Sequence, residues 1–168
     1  ELSIASARRL RESLAIFFVD LDHFKRVNDI HGHAAGDELL RQLANRLRSA
    51  FRETDTIAQP SRWYRPSDAS IHRLGGDEFT LVFPGVHESR SLAVLAQRII
   101  KLLDQPFEIA GTDLQVTCSV GVSVFPEDGR DRETLLKNAD IAMYRAKELG
   151  RNRHELYNAT MSKKLQEK

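Results

Sequence analysis

The sequence predicts an α+β fold in which helices flank a mixed, mainly antiparallel central sheet. Short runs of branched and aromatic side chains alternate with longer segments whose apolar residues recur at helical spacing. Glycine-containing turns separate two pairs of the strand-like runs, and hairpins of this kind join antiparallel strands. Helices in this order can cover a mixed sheet. A chain of 168 residues is long enough for one domain with a hydrophobic core.

The predicted strands are short and end at turn signals. The first strand is buried, and two aspartates follow directly at its C-terminal end. Gly75-Gly76 predicts the turn of a hairpin, because glycine accepts the positive φ that tight turns need. A second hairpin is expected around residues 111–113. The predicted strands are residues 14–19, 70–74, 79–83, 107–109, 114–125 and 154–157.

The predicted helices carry their apolar residues on one face. Residues 5–13 form a charged lead-in that favours a helix, and residues 36–51 and 89–103 show clear helical periodicity. Asp131 is suited to cap the N-terminus of a third periodic helix, and Gly150 is suited to end it.

The charge balance and the apolar runs give no reason to propose several classes of partner. The 25 basic and 24 acidic side chains give a net charge of +1, so no electrostatic argument favours nucleic acid or a membrane surface. The apolar run at residues 14–19 is too short to cross a bilayer. Cys118 is the single cysteine, so an intrachain disulfide is excluded and a reducing compartment is favoured. We therefore expect a cytoplasmic domain, either free or as the cytoplasmic part of a membrane-anchored protein.

Three features point to phosphate chemistry. Two carboxylates end the first strand, two more follow the glycine turn, and cations recur at helical spacing near the end of the last helix. Magnesium prefers oxygen ligands and is commonly held by one or two carboxylates together with substrate phosphates. Phosphoryl transfer needs mainly positioning, metal ions and cations against the phosphates. The residues concerned are Asp20, Asp22, Asp77, Glu78, Lys25, Lys147 and Arg151.

The string Gly75-Gly76-Asp77-Glu78-Phe79 resembles the signature of the GGDEF family of diguanylate cyclases. Taken singly, a glycine turn, a solvated strand end or a cationic last turn has an ordinary structural explanation. Their combination, in the family's order and spacing, favours the resemblance, which extends over residues 14–157. Further matching blocks are residues 20–29, 32–33, 36–37, 119–123 and 139–152.

The resemblance implies a fold like the palm of nucleotide cyclases and polymerases, and a role for each matching position. Magnesium or manganese would be held by Asp20, Asp77 and the backbone carbonyl of Leu21. Asp77 or Glu78 would help to activate the attacking 3′-hydroxyl group, and the sequence leaves open which one acts. Asn28 and Asp37 would bind the guanine edge, whereas the triphosphate would be held by backbone N–H groups near His23 and Phe24 and by Lys25, Lys147 and Arg151.

A product-inhibition site of the Arg-x-x-Asp type has two candidates, and neither has the family spacing. Arg52 and Asp55 lie before an insertion, whereas Arg65 and Asp68 lie one residue too far from the glycine turn. Either a one-residue bulge keeps Arg65 and Asp68 usable, or residues 59–71 form a loop and Arg52 with Asp55 keeps the family position. Both interpretations remain open, and we expect weak inhibition by cyclic di-GMP.

We expect residues 1–158 to form the GGDEF domain and residues 159–168 to begin a linker towards a further C-terminal domain. The stretch at residues 156–161 resembles the linker that precedes an EAL phosphodiesterase domain in tandem proteins. The Leu-Thr-Gly-Leu-x-Asn-Arg opening typical of the family is absent. A covalently linked sensor domain, EAL domain or both are therefore expected partners.

Two functions follow from the resemblance. The first is a homodimeric diguanylate cyclase that condenses two GTP molecules into cyclic di-GMP and pyrophosphate. The alternative is a catalytically weak GTP-binding module that controls a neighbouring EAL domain. A cyclase for another purine is a third option, against which the match at Asn28 and Asp37 argues.

Overall fold

A computed structural model describes residues 2–52 and 70–167 of the chain. A sheet with strand order β2-β3-β1-β6-β7 forms the centre, and helices cover both of its faces. The elements are α1 Leu2–Leu10, β1 Leu14–Leu21, α2 Phe24–His31, α3 His33–Arg52, β2 Ser70–Gly75, β3 Glu78–Pro84, α4 Ser89–Asp104, β4 Phe107–Ile109, β5 Thr112–Leu114, β6 Cys118–Phe125, α5 Arg132–Glu148, β7 Arg153–Leu156 and α6 Ala159–Gln166.

The sheet is mixed and mainly antiparallel, as predicted. β1 lies in the middle and runs antiparallel to both β3 and β6, whereas β7 runs parallel to β6. Every residue of β1 and β6 is buried, because both strands are covered on two faces. The predicted α+β fold is therefore confirmed.

Alternate residues of β1 pack into two separate cores, since side chains of a strand point to opposite faces. Ala15, Phe17 and Val19 lie in the larger core with α3 and α4. Ile16 and Phe18 pack on the other face against α1 and α5. By the same alternation, Asp20 belongs to the face that α5 covers.

The face of β6 that α5 covers is lined by small residues, namely Ser119, Gly121 and Ser123. An ideal Cβ atom at Gly121 would lie 2.0 Å from the carbonyl oxygen of Ala139 and 2.2 Å from the backbone nitrogen of Met143. The hydroxyl group of Ser123 donates a hydrogen bond of 2.7 Å to the carbonyl oxygen of Leu135. The missing side chain at position 121 therefore lets α5 approach the sheet closely.

The first hairpin and the predicted helix cap are confirmed. β2 and β3 pair around the Gly75-Gly76 turn, where Gly76 has a φ of 51°. The carboxylate of Asp131 accepts a hydrogen bond of 2.8 Å from the backbone N–H of Thr134 at the start of α5. Cys118 is buried, and burial raises the pKa of its thiol.

Two parts of the predicted element order are wrong. Residues 114–125 do not form one strand opposite residues 107–109: β4 pairs with β5 in a small separate sheet, and β6 joins the central sheet between β1 and β7. The reason is that β6 is apolar enough to be buried on both faces. The helix α2 was not predicted, because it is only eight residues long and Val27 is its one buried residue.

Residues 159–166 of the predicted linker are helical. α6 begins after Asn158, whose side-chain oxygen accepts a hydrogen bond of 3.1 Å from the backbone N–H of Thr160, and it contacts α5. The domain boundary at residue 158 stays a prediction. None of the helices in the described residues combines the length and the apolar character needed to cross a membrane.

Candidate functional site

The C-terminal end of β1 lies beside the turn between β2 and β3. Asp20 pairs in register with Glu78 of β3 and with Ser119 of β6. The backbone N–H of Leu21 donates a hydrogen bond of 3.5 Å to the carbonyl oxygen of Asp77. The sheet therefore brings together the two acidic pairs that are far apart in the sequence.

The carboxylate of Asp20 has two different environments at its two oxygens. Its Oδ2 atom accepts a hydrogen bond from the Nζ atom of Lys147, which α5 carries across the same face of the sheet. Its Oδ1 atom is buried and has no hydrogen-bond partner. Burial raises the pKa of Asp20 to about 6; the nearby Asp77 carboxyl adds to the increase, and Lys147 opposes it.

This arrangement fits a divalent cation. A buried oxygen without a partner is costly, and a metal ion between Asp20 and Asp77 would supply the missing interaction for Oδ1. Within residues 2–52 and 70–167, no group of three or more His, Cys, Asp or Glu side chains could hold a metal. Asp20 and the neighbouring Asp77 offer two carboxylates, which suits an ion that takes its remaining ligands from backbone, substrate and water.

Asp140 of α5 is an acidic neighbour of Asp20 and Lys147 that was not predicted from the sequence. Although Asp140 is exposed at the surface of α5, partial desolvation raises the pKa of its carboxyl; the charge of Lys147 lowers this pKa and that of Asp20 raises it. Burial also raises the pKa of Glu78; Asp20 and Asp140 add to the increase, and Lys147 opposes it. The sequence signal was present, since residues 140 and 147 are two helical turns apart and share one face of α5.

Asp22 differs from Asp20 because the protein itself satisfies its carboxylate. Its Oδ1 atom accepts a hydrogen bond of 2.7 Å from Ser119, and its Oδ2 atom accepts one of 2.7 Å from Thr117. A third, of 3.0 Å, comes from the backbone N–H of Asn152. Asp22 therefore joins the end of β1 to β6 and to the turn after α5, where Arg151 and Asn152 have positive φ values of 62° and 49°.

The residues predicted for the triphosphate surround this end of the sheet. His23 has a φ of 58° and turns the chain from β1 directly into α2, whose N-terminus is suited to anions. Lys25 is exposed on the first turn of α2, and Arg151 is exposed at the turn after α5. Lys147 is paired with Asp20.

The residues predicted for the guanine edge lie on two neighbouring helices. Asn28 is half-buried on α2, and Asp37 is exposed on α3. The side chain of Asn28 lies against Gly36, the residue that precedes Asp37. The contact between α2 and α3 therefore brings the two predicted base-binding positions together.

The product-inhibition candidates Asp55, Arg65 and Asp68 lie outside the described residues, and so does the side chain of Arg52. Of the segment 59–71, the structure describes Ser70 and Ile71, which begin β2. A register shift between Arg73 and Gly75 forms a bulge in β2 at Leu74. Both interpretations of the product site remain predictions.

The α+β fold, with acidic residues gathered where its central strand ends, is the arrangement expected of a nucleotide-cyclase type of domain. The profile of the family described as "Diguanylate cyclase, GGDEF domain" matches residues 1–153. The chain therefore belongs to the GGDEF family.

Relatives and solved structures agree with this assignment. The chain is 39% identical over 167 residues to the bifunctional diguanylate cyclase/cyclic di-GMP phosphodiesterase MucR of Pseudomonas aeruginosa, covering 99% of the chain and 22% of MucR. It is 39% identical over 151 residues to the cyclic di-GMP phosphodiesterase NbdA of the same organism, covering 89% of the chain and 17% of NbdA. The chain thus spans about a fifth of these curated relatives. A solved GGDEF domain of P. aeruginosa TpbB superimposes with a TM-score of 0.84 at 31% identity, covering 98% of the chain and 88% of that structure.

Proposed function

We propose that this domain is a diguanylate cyclase that condenses two GTP molecules into cyclic di-GMP. The observation that carries the proposal is the environment of Asp20. One of its oxygens is bound by Lys147 and the other is buried without a hydrogen-bond partner, and the Asp77 carboxyl lies near the Asp20 group. A pair of carboxylates beside a cation is what a metal-dependent phosphoryl-transfer site requires.

Asp20, Asp77 and the backbone carbonyl of Leu21 would hold Mg²⁺ or Mn²⁺. When bound, such an ion polarises the α-phosphate of GTP and offsets the negative charge that develops during transfer. The N-terminus of α2, Lys25, Lys147 and Arg151 would bind the triphosphate. Asn28 and Asp37 would bind the guanine edge through hydrogen bonds.

Asp77 or Glu78 would accept the proton of the attacking 3′-hydroxyl group. Buried surroundings and the charges of Asp20 and Asp140 raise the pKa of Glu78, which makes its carboxylate a stronger base than an ordinary glutamate. In each transfer, the 3′-oxygen bonds to the α-phosphorus of the second nucleotide, and the bond to the β-phosphate oxygen breaks. Two such transfers release two pyrophosphates and close the ring.

A second copy of the domain completes this reaction. Each domain would bind one GTP, and the product contains two guanylate units, so two domains must face each other as a homodimer. Product formation should therefore depend on protein concentration.

A GTP-binding regulatory module is the second candidate function. The favouring observation is the relative NbdA, which is named a phosphodiesterase yet is similar to this chain over 151 residues of the domain. In this function, GTP would bind through the same residues, and its occupancy would control a covalently linked EAL domain. The distinguishing result is GTP binding without product.

We also propose the setting of the domain. Residues 1–158 would form the GGDEF domain and residues 159–168 would lead to a linked domain, with a sensor domain as a further partner. GTP is the substrate, so we propose a cytoplasmic location.

The test is the yield of cyclic di-GMP from GTP and Mg²⁺ at high protein concentration. Asp77→Ala should abolish the product, whereas Asp113→Ala, an exposed carboxylate in the β4–β5 hairpin, should retain it. Equal yields from wild type and Asp77→Ala would refute the proposed site. Absence of product from a wild type that binds GTP would favour the regulatory function.

A further inference from the structure

Gly36 is a helical glycine, and a neighbouring side chain occupies the space that a Cβ atom would take at this position. An ideal Cβ atom at this position would lie 1.8 Å from the Oδ1 atom of Asn28 and 2.9 Å from its Cγ atom. The Cζ atom of Phe24 would lie 3.1 Å away. Gly36 is buried inside α3, so the amide of Asn28 occupies the space that any other residue would fill.

The backbone does not explain the glycine. Gly36 lies within α3, and any type of residue can adopt helical backbone angles. Its φ is outside the left-handed region, in contrast to Gly32 with a φ of 90°. Glycine inside a helix lowers helix stability relative to alanine. The structural advantage of glycine at this position is therefore the close approach of Asn28.

We propose that Gly36 is a positioning residue that sets the orientation of the Asn28 amide and thereby the selectivity of the site for guanine. This inference rests on the proposed function, in which Asn28 and Asp37 bind the guanine edge. An amide group offers both donors and an acceptor, so its recognition of a base depends on how it is oriented. A methyl group at position 36 would displace the amide, because the Oδ1 atom at 1.8 Å must move.

Simple tight packing predicts a different outcome. If Gly36 only allowed α2 and α3 to pack, Gly36→Ala would weaken the binding of all nucleotides alike through the disturbed fold. If Gly36 positions Asn28, the loss should concern guanine nucleotides and should disappear when Asn28 is already truncated.

The test uses non-hydrolysable GTP and ATP analogues with Mg²⁺ in calorimetric titrations of the chain. Gly36→Ala should lower the affinity for the GTP analogue by about tenfold and change that for the ATP analogue by less than about twofold. In an Asn28→Ala background, Gly36→Ala should have no further effect. Ala34→Gly, an exposed change in the same helix, should leave the ratio of the two affinities unchanged.

Equal losses for both analogues, or additive effects of the two substitutions, would overturn the inference. The side-chain amide signals of Asn28 in NMR spectra without nucleotide give a separate readout. They should shift in Gly36→Ala and stay in place in Ala34→Gly. Unshifted signals would refute the positioning role alone, whereas a wild type that does not bind the GTP analogue would refute the proposed function.

Discussion

Substitution of Gly121 by alanine should separate α5 from the sheet and thereby disturb the candidate site from a distance. The added Cβ atom would lie 2.0 Å from the carbonyl oxygen of Ala139, whereas ordinary contacts begin at 3.4 Å. β6 and α5 must therefore move apart by up to 1.4 Å (3.4 − 2.0) at this point. Both contacting atoms belong to the backbone of α5, so no side-chain rotation relieves the collision.

Two effects of different size follow from this movement. Overpacking of this kind costs about 2 kcal/mol of unfolding free energy, which lowers Tm by about 4–8 °C in a domain of this size. α5 also carries Lys147, whose ammonium group binds the carboxylate of Asp20. A displacement of about 1 Å in a catalytic group can cost about 100-fold in rate. We therefore expect turnover to fall far more than stability.

Thermal unfolding and cyclic di-GMP production would measure both effects. Gly111→Ala in the β4–β5 hairpin is a suitable control, because its space is open and its φ of 78° adds only backbone strain. That variant should lose some stability and keep wild-type turnover in the folded protein. Wild-type Tm and turnover in Gly121→Ala would refute the reasoning.

Three further predictions concern single side chains. Lys147→Met should reduce turnover by at least about 100-fold, because it removes the cation that binds Asp20, whereas Lys137→Met on the exposed side of α5 should keep it. Asp22→Asn should lower the unfolding free energy by about 2–4 kcal/mol in urea titrations, because a buried carboxylate that accepts three hydrogen bonds is replaced; a loss below about 0.5 kcal/mol would contradict this. Hydrogen bonds from Thr134 lower the pKa of Asp131. The Asp131 carboxylate therefore contributes stability above the pKa of the unfolded state, and this contribution is lost as pH falls through the folded pKa. Asp131→Asn should be less stable than wild type at pH 7 and equal to it at acidic pH.

The elements that could be predicted from the sequence are those whose own residues carry the signal. β1 was recognisable because its apolar run is buried on both faces, and the β2–β3 hairpin was recognisable because Gly76 takes a positive φ. α2 was not predicted, since a helix of eight residues is too short for an apolar period to be recognised in the sequence. The strands on either side of β6, β1 and β7, could also not be predicted, because continuous burial does not indicate which strands are its neighbours.

The candidate site was predicted residue by residue, but its internal contacts were not. The Lys147–Asp20 pair spans 127 positions in the chain, so only the packing of α5 on the sheet creates it. Tertiary packing also creates the hydrogen bonds to Asp22, which come from Thr117, Ser119 and Asn152, and the approach of Asn28 on α2 to Gly36 on α3. Residue types indicated the chemistry, whereas tertiary packing decides which oxygen of which carboxylate remains available.

Cyclic di-GMP production by Asp20→Asn over a series of Mg²⁺ concentrations tests most directly whether this carboxylate serves metal-dependent turnover. The amide keeps the shape of the side chain but removes the charge that a cation would need at Oδ1. We predict that turnover is lost, or returns only at much higher Mg²⁺ concentration, while the far-UV circular dichroism spectrum stays that of the wild type. Wild-type turnover at the same Mg²⁺ concentrations would contradict the account.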